Sequence, residues 1–147
     1  MTIDTSGKWW TGTMPEDLDE YLRAFSADSY PIAVFRLSEC ACGGKVFYLH
    51  VEQDEGIARR TCVECGNKHW IAESAENYES GMPLKKFKCI TCKSHNTNVA
   101  AGFSLLADKS EIKWVFVGNR CAECGTLGSM VDWKVGYAPS LQLLGEA

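Results

Sequence analysis

Eight cysteines are the residues best suited to chemistry, and they fall into four close pairs: Cys40/Cys42, Cys62/Cys65, Cys89/Cys92 and Cys121/Cys124. Three pairs are Cys-x-x-Cys and one is Cys-x-Cys. A tight turn of that length points two sulfurs at one ion while backbone N–H groups donate to them, and two such knuckles complete a tetrahedron of thiolates. Gly66 and Gly125 directly follow the second cysteine of their pairs, where a left-handed backbone lets the chain leave the knuckle. The expected cofactor is therefore metal, as two structural Zn2+ ions. Iron is the competing ion, because four thiolates suit it too.

Other chemistry is harder to find. The segment from Met1 to Lys8 lacks the apolar stretch of an export signal, and no run approaches membrane-spanning length. A cytoplasmic location is expected, and in a reducing compartment paired cysteines serve as metal ligands or catalytic thiols more often than as disulfides. A thioredoxin-like Cys-x-x-Cys needs a strand-to-helix context, whereas these pairs sit between expected strands. Among the histidines, His50 and His69 fall within expected strands, and His95 could replace a displaced ligand. Four cysteines already saturate each site, while a catalytic zinc keeps a position open for water. The chain contains no Ser/His/Asp set, phosphate-binding glycine loop or helical His-Glu motif that would indicate an enzyme.

The elements that must position these sulfurs are mostly short strands. Phe35 and Leu37 alternate with Arg36 and Ser38, and Phe47, Leu49 and Val51 share one face. Gln53-Asp54-Glu55-Gly56 reads as a turn, Ile57 to Thr61 as the return, and His69 to Ala72 as a further strand. The polar stretch 74–84 marks a module boundary. Val99, Ala101, Phe103 and Leu105 then alternate, Ala107 to Ser110 turns, and Ile112, Trp114 and Phe116 alternate on the return. Val131, Trp133, Val135 and Tyr137 form one face of a closing strand. Before all of this, Leu18, Tyr21, Leu22 and Phe25 make a helical stripe. Thr13-Met14-Pro15-Glu16 fits a capping box, and the acids Glu16, Asp17, Asp19 and Glu20 sit at the positive end of the helix dipole.

Each expected turn lies near the middle of the segment between two knuckles, so folding each arm on itself joins its flanking pairs. This assigns Cys40, Cys42, Cys62 and Cys65 to one ion and Cys89, Cys92, Cys121 and Cys124 to the other. An interleaved assignment, in which the first knuckle shares an ion with the third, remains open but leaves the turns without a purpose. On Cys62-Val63-Glu64-Cys65-Gly66 and Cys121-Ala122-Glu123-Cys124-Gly125 the chain resembles the zinc ribbons, which include rubredoxin-like modules. The resemblance covers about residues 34 to 137, and the likeness of the two pentapeptides suggests duplication. Cys40-Ala41-Cys42-Gly43-Gly44 departs from the family by one missing residue. The implied architecture is mainly β, small and metal-stabilised: two tandem zinc ribbons with an N-terminal α-helix. Residues 1–33 form a helical segment packing on the first ribbon, 34–80 the first ribbon and 81–147 the second. Zinc ribbons occur in transcription, translation and enzyme accessory proteins, so the fold alone fixes no activity.

The formal charge of −4 is unevenly spread: residues 1–80 carry a net −7 and residues 81–147 a net +3. Each filled tetrathiolate site adds two further negative charges, and a general nucleic-acid binder leans the other way. Lys85, Lys86, Lys88 and Lys93 with Phe87 could contact phosphates and stack on a base. The simpler reading is that these lysines, with Arg59, Arg60 and Arg120, offset the charge of the metal centres. Five tryptophans are many for this length, and Trp is enriched at interfaces. Trp114 and Trp133 are expected in the core, while Trp9 and Trp10 either staple the helix or dock a partner. The expected protein is thus a non-catalytic zinc-binding module for protein–protein interaction, such as an adaptor, an accessory factor or an immunity-like protein. Its expected partner is another protein, with no membrane. A nucleic-acid-binding ribbon pair acting through the basic second module is the alternative, and a redox or metal-dependent enzyme is the third reading.

Overall fold

A computed structural model describes residues 3–135 and 139–147. Two short strands, β1 (Ile3–Asp4) and β2 (Thr11–Gly12), precede helix α1 (Asp17–Ser26). Strands β3 (Val34–Leu37), β4 (Phe47–Glu52), β5 (Ile57–Cys62) and β6 (Lys68–Trp70) follow, then helix α2 (Ser74–Asn77) and strand β7 (Lys85–Lys86). The long strands β8 (Thr97–Leu105), β9 (Ile112–Cys121) and β10 (Leu127–Lys134) precede a 3-10 turn at Leu141–Gly145. The architecture is mainly β, with two cysteine tetrads, and no helix among the described residues is long and apolar enough to cross a membrane.

Both halves of the chain enter one antiparallel sheet of order β10-β9-β8-β4-β5-β6. The free side of β8 takes β3 along Ala100 to Phe103 and β4 at Thr97, where Phe47 is the partner. The β4–β5 hairpin then folds across β10, so that Gln53 Nε2 donates to the Met130 carbonyl at 2.9 Å. One core forms between the two arms, from Phe47, Leu49 and Val51 on one side to Phe103, Val117 and Trp133 on the other. The alternation expected in β4 is what delivers these side chains, since Phe47, Leu49 and Val51 are all buried.

The outer face of β8 and β9 is covered by α1. Leu18 and Leu22 meet Ala100, Phe116 and Leu127 there, which is the opposite side of the sheet from the main core. The helix therefore packs mainly on β8, β9 and β10, strands of the segment 81–147, with Phe35 and Leu37 of β3 at the margin of the same cluster, and not chiefly on the first ribbon. The physical reason is small side chains: a Cβ on Gly118 would lie 2.9 Å from Leu22 Cδ2, so only a strand carrying glycine there admits the helix this closely. β8 is accordingly buried on both faces. The segment 74–84 begins inside the fold, where Ser74 Oγ accepts from the Ala58 N–H at 3.0 Å and buried Glu73 accepts from Trp133 Nε1.

Two further expectations are corrected. The helix begins at Asp17 with no side-chain cap from Thr13 or Glu16. The Asp17 carboxylate instead reaches back to the N–H groups of Thr13 at 2.9 Å and Met14 at 3.2 Å, so an acid one position further on holds the entering turn. Ile112 and Trp114 also point to opposite faces, Ile112 into the main core and Trp114 toward α1, where it stacks on Tyr30 at 4.3 Å. The register shifts between Ser104 and Leu105, and one extra residue in β9 reverses the parity of everything beyond it. Trp133 is in the main core as expected, and Tyr137 lies outside the described residues.

The turn at Gly56 offers a stability test of this packing. Gly56 has φ +75°, and a Cβ there would sit 2.5 Å from Trp133 Cβ, which cannot move aside; Gly81, φ +94°, has nothing within 4 Å. Gly56→Ala is expected to lose about 3 kcal/mol and Gly81→Ala about 1 kcal/mol in chemical denaturation; equal losses would contradict the contact.

Candidate metal centres

Of the four knuckles, two start on strand ends, at Cys62 of β5 and Cys121 of β9, and two lie just beyond β3 and β7. In three of them the first cysteine's carbonyl accepts the N–H four residues on, and its own N–H donates to the carbonyl five residues on: Cys62 with Gly66 and Asn67, Cys89 with Lys93 and Ser94, Cys121 with Gly125 and Thr126, all at 2.8 to 3.0 Å. The first knuckle closes one residue sooner, from Cys40 to Gly43 and Gly44, which is how the fold absorbs the missing residue. In all four the residue after the second cysteine is left-handed: Gly43, Gly66, Lys93 and Gly125. Lys93 shows that the position demands a backbone conformation and not glycine itself.

These knuckles gather Cys40, Cys42, Cys62 and Cys65 into one tetrad and Cys89, Cys92, Cys121 and Cys124 into another, with the sulfurs of each within 4.8 Å of one another. The sequential pairing is therefore the one present, and the interleaved one is excluded. Cys40–Cys65 and Cys89–Cys124 are 3.5 Å apart, Cys42–Cys62 3.6 Å and Cys92–Cys121 3.5 Å. Those separations are far longer than a disulfide and close to the edge of about 3.8 Å that a tetrahedron with metal–sulfur bonds of about 2.3 Å requires. Each tetrad could hold one metal ion, and no histidine is needed to complete either set.

The first cysteine of every pair is buried and the second exposed. Cys40, Cys62, Cys89 and Cys121 all belong to the main core, so each centre seals the core with two sulfurs in and two out. The centres are also linked through the sheet. Cys62 pairs with Phe47, Phe47 with Thr97, and Thr97 with Cys121, one row across four strands, which spans about 14 Å at the usual strand spacing.

Thiols this close compete for ionisation. The Cys42 N–H donated to Cys40 brings that thiol down to about 7. Burial opposes ionisation of Cys89, but the N–H groups of Cys92 and Thr91 outweigh it and bring the thiol down to about 6. Their neighbours move the other way. The Gly44 N–H pulls Cys42 down, yet the surrounding sulfurs of Cys62, Cys40 and Cys65 push it up to about 12, and burial with the Cys92 and Cys124 sulfurs takes Cys121 to about 12. One thiolate forms readily and the next is suppressed, a conflict that a cation at the centre removes.

Several neighbours of the sulfurs escape sequence reading. Gly44 lies against the first centre, where a Cβ would come within 2.8 Å of Cys62 Sγ. At the second, Cys124 Sγ lies 3.1 Å from Thr126 Oγ1, which donates to Thr91 Oγ1. Of the three arginines expected to offset charge, Arg60 faces Cys40 and Cys62, which raise its pKa against the larger lowering by burial. Arg59 instead stacks over Trp70, and Arg120 ties the Gly12 carbonyl to Asn98. Phe87 is buried and belongs to the core, so it cannot stack on a base. Trp10 staples α1 to the second ribbon: its carbonyl accepts from the Leu127 N–H and its ring meets Tyr21 edge-on at 6.0 Å. No family model matches the chain, and no curated protein or solved structure matches it.

Two outcomes follow from this geometry. Lys93→Gly relieves a left-handed side-chain-bearing residue and is expected to raise stability by about 0.5 to 1 kcal/mol, read as a shifted denaturation midpoint. Metal holds the thiolate forms, so its contribution to stability is present at neutral pH and is lost as protons return to the sulfurs. Metal release followed with a chromogenic indicator is therefore expected on acidification, with Cys92→Ser used to assign the steps to the two centres; a stability that does not fall as metal is released would refute the linkage.

Proposed function

We propose that the protein is a non-catalytic module that binds two structural zinc ions and uses its outer surface to engage another protein. The observation that carries this reading is the pair of closed four-sulfur sets, which leave no ligand position for a water or substrate. Zinc is favoured over iron because both centres seal a core and tie strand ends together, a task that needs no redox change. Metal in such a site contributes on the order of 10 kcal/mol to folding, comparable with a whole domain's net stability. The partner reading is supported by large apolar side chains left on the surface, Trp9 at 45%, Phe25 at 49% and Ile90 at 57% exposure. An adaptor, accessory factor or immunity-like role in the cytoplasm is consistent with that surface.

One observation favours the nucleic-acid alternative: Lys85, Lys86, Lys88 and Lys93 surround a single hollow beside the second centre. The burial of Phe87 weighs against it by removing the aromatic that a base would use.

Elemental analysis is expected to give two zinc ions per chain, and chelation to abolish cooperative unfolding and the near-ultraviolet signal of the buried Trp133. A metal-free chain with an unchanged melt would refute the structural role, and visible charge-transfer absorption would identify iron. Titration with single-stranded and duplex oligonucleotides at low and moderate salt is expected to show no binding; steeply salt-dependent binding supports the alternative.

A further inference from the structure

The exposed apolar side chains are not scattered. Trp9, Phe25 and Ile90 line one hollow of about 360 Å3, between α1 on one face of the sheet and the third knuckle on the other, with β10 running along its floor. Among the described residues β10 pairs as a strand only with β9, and its outer edge is taken at Leu127 by the Trp10 carbonyl and at Met130 by Gln53 Nε2, which leaves the stretch at Ser129 between them. The Leu127 N–H points outward to the Trp10 carbonyl, and antiparallel alternation turns the peptide groups of Ser129 the same way. A bulge between Ser129 and Val131 ends the regular edge, which limits addition there to a short segment.

The floor is polar where it would otherwise be sealed. Asn119 is only 3% exposed and lines the hollow, yet its Oδ1 has no hydrogen-bond partner, and Ser129 Oγ has none either. Above it stands Gly128, where a Cβ would lie 3.2 Å from Asn119 Oδ1, so the missing side chain leaves room over the orphan oxygen. An unsatisfied buried acceptor costs about 1 to 3 kcal/mol, a cost that a turn of the Asn119 amide toward a bound N–H donor would remove. The rim is basic. Lys8 lies over the Trp9 ring at 5.4 Å, Lys88 lines the hollow, and Lys85, Lys86 and Lys93 surround the adjoining one.

We infer that this groove binds a short, extended segment of a partner protein in which apolar and acidic side chains alternate. Its backbone adds to the edge of β10 and supplies N–H groups to the floor, its apolar side chains fill the space between Trp9, Phe25 and Ile90, and its carboxylates meet the lysine rim. A second copy of the chain is disfavoured, because a copy offering the same face brings a second set of lysines where the rim calls for acids. A polyanionic nucleic acid is disfavoured by the acidic side of α1, where Glu16, Asp19 and Glu20 line the neighbouring hollow. The inference rests on the interaction-module reading above and names the class of partner.

The test is selection of a phage-displayed random decapeptide library on the full, metal-loaded chain, followed by affinity measurement of the enriched peptides on Trp9→Ala and Lys88→Ala. Neither substitution replaces a metal ligand, and unchanged metal content and melting temperature establish that each variant is folded, a check that Lys88→Ala needs because Lys88 precedes Cys89. Enriched peptides are expected to be acidic and apolar in alternation, to lose affinity about tenfold or more with Trp9→Ala, and to weaken with added salt in the parent but less so in Lys88→Ala. No enrichment, enrichment of basic or uncharged peptides, indifference to both variants, self-association through β10 or displacement by oligothymidylate would each overturn the groove. Native-extract capture separates the two readings: a partner retained equally by parent and both variants refutes the groove and leaves the interaction module standing, whereas a metal-free folded chain refutes the module's structural basis first.

Discussion

Four thiols held within 4.8 Å of one another cannot all ionise in isolation, because each thiolate raises the cost of the next. Against the pull of the Gly44 N–H, Cys42 is pushed up to about 12 by the sulfurs around it and carries that cost, while the Cys42 N–H brings Cys40 down to about 7. A divalent cation turns the same closeness into attraction. The rest of the structure depends on that reversal: the strand ends that carry the cysteines converge only if their sulfurs can be held together. With half of each tetrad inside the main core, an ion held there would join metal binding to core packing.

The row from Cys62 through Phe47 and Thr97 to Cys121 shows how far the coupling extends. Each hairpin ends at its own centre, yet the hairpins meet base to base through Phe47 and Thr97 and close over a shared core. A ribbon of this length has little apolar surface to bury alone. The two halves supply each other's missing half of the core, and α1 seals the outer face of β8 and β9. That cover is why Ala100 and Gly118 are small: they are the floor on which the helix lies, while Gly102 makes room for Ile32 in the segment that follows it.

The surface left over carries the functional proposal. Phe87, which the sequence groups with the lysines, turns inward, while Trp9, Phe25 and Ile90 turn outward around the edge of β10. The basic residues thereby become the rim of an apolar groove. The acidic side of α1 stands next to it, which gives the surface a local polarity that the formal charge of −4 conceals.

Local chemistry was legible in the sequence because it is encoded over a few residues. The spacing of the cysteines, the glycines after Cys65 and Cys124, the turns at Gly56 and Lys109, and the alternation of Phe47, Leu49 and Val51 each determine a backbone shape over a handful of bonds, and the tetrads follow from them. The cap of α1 was misread because Asp17 competes with Glu16 for the same task one position later, a choice settled by where the chain enters from β2. The faces of Ile112 and Trp114 were misread because a bulge is invisible in a two-residue period until the partner strand sets the register. Which ribbon the helix covers, and that Trp9 and Ile90 share one groove, are contacts between residues far apart in the chain. Only the tertiary structure decides these, since they depend on which faces the other elements have already buried.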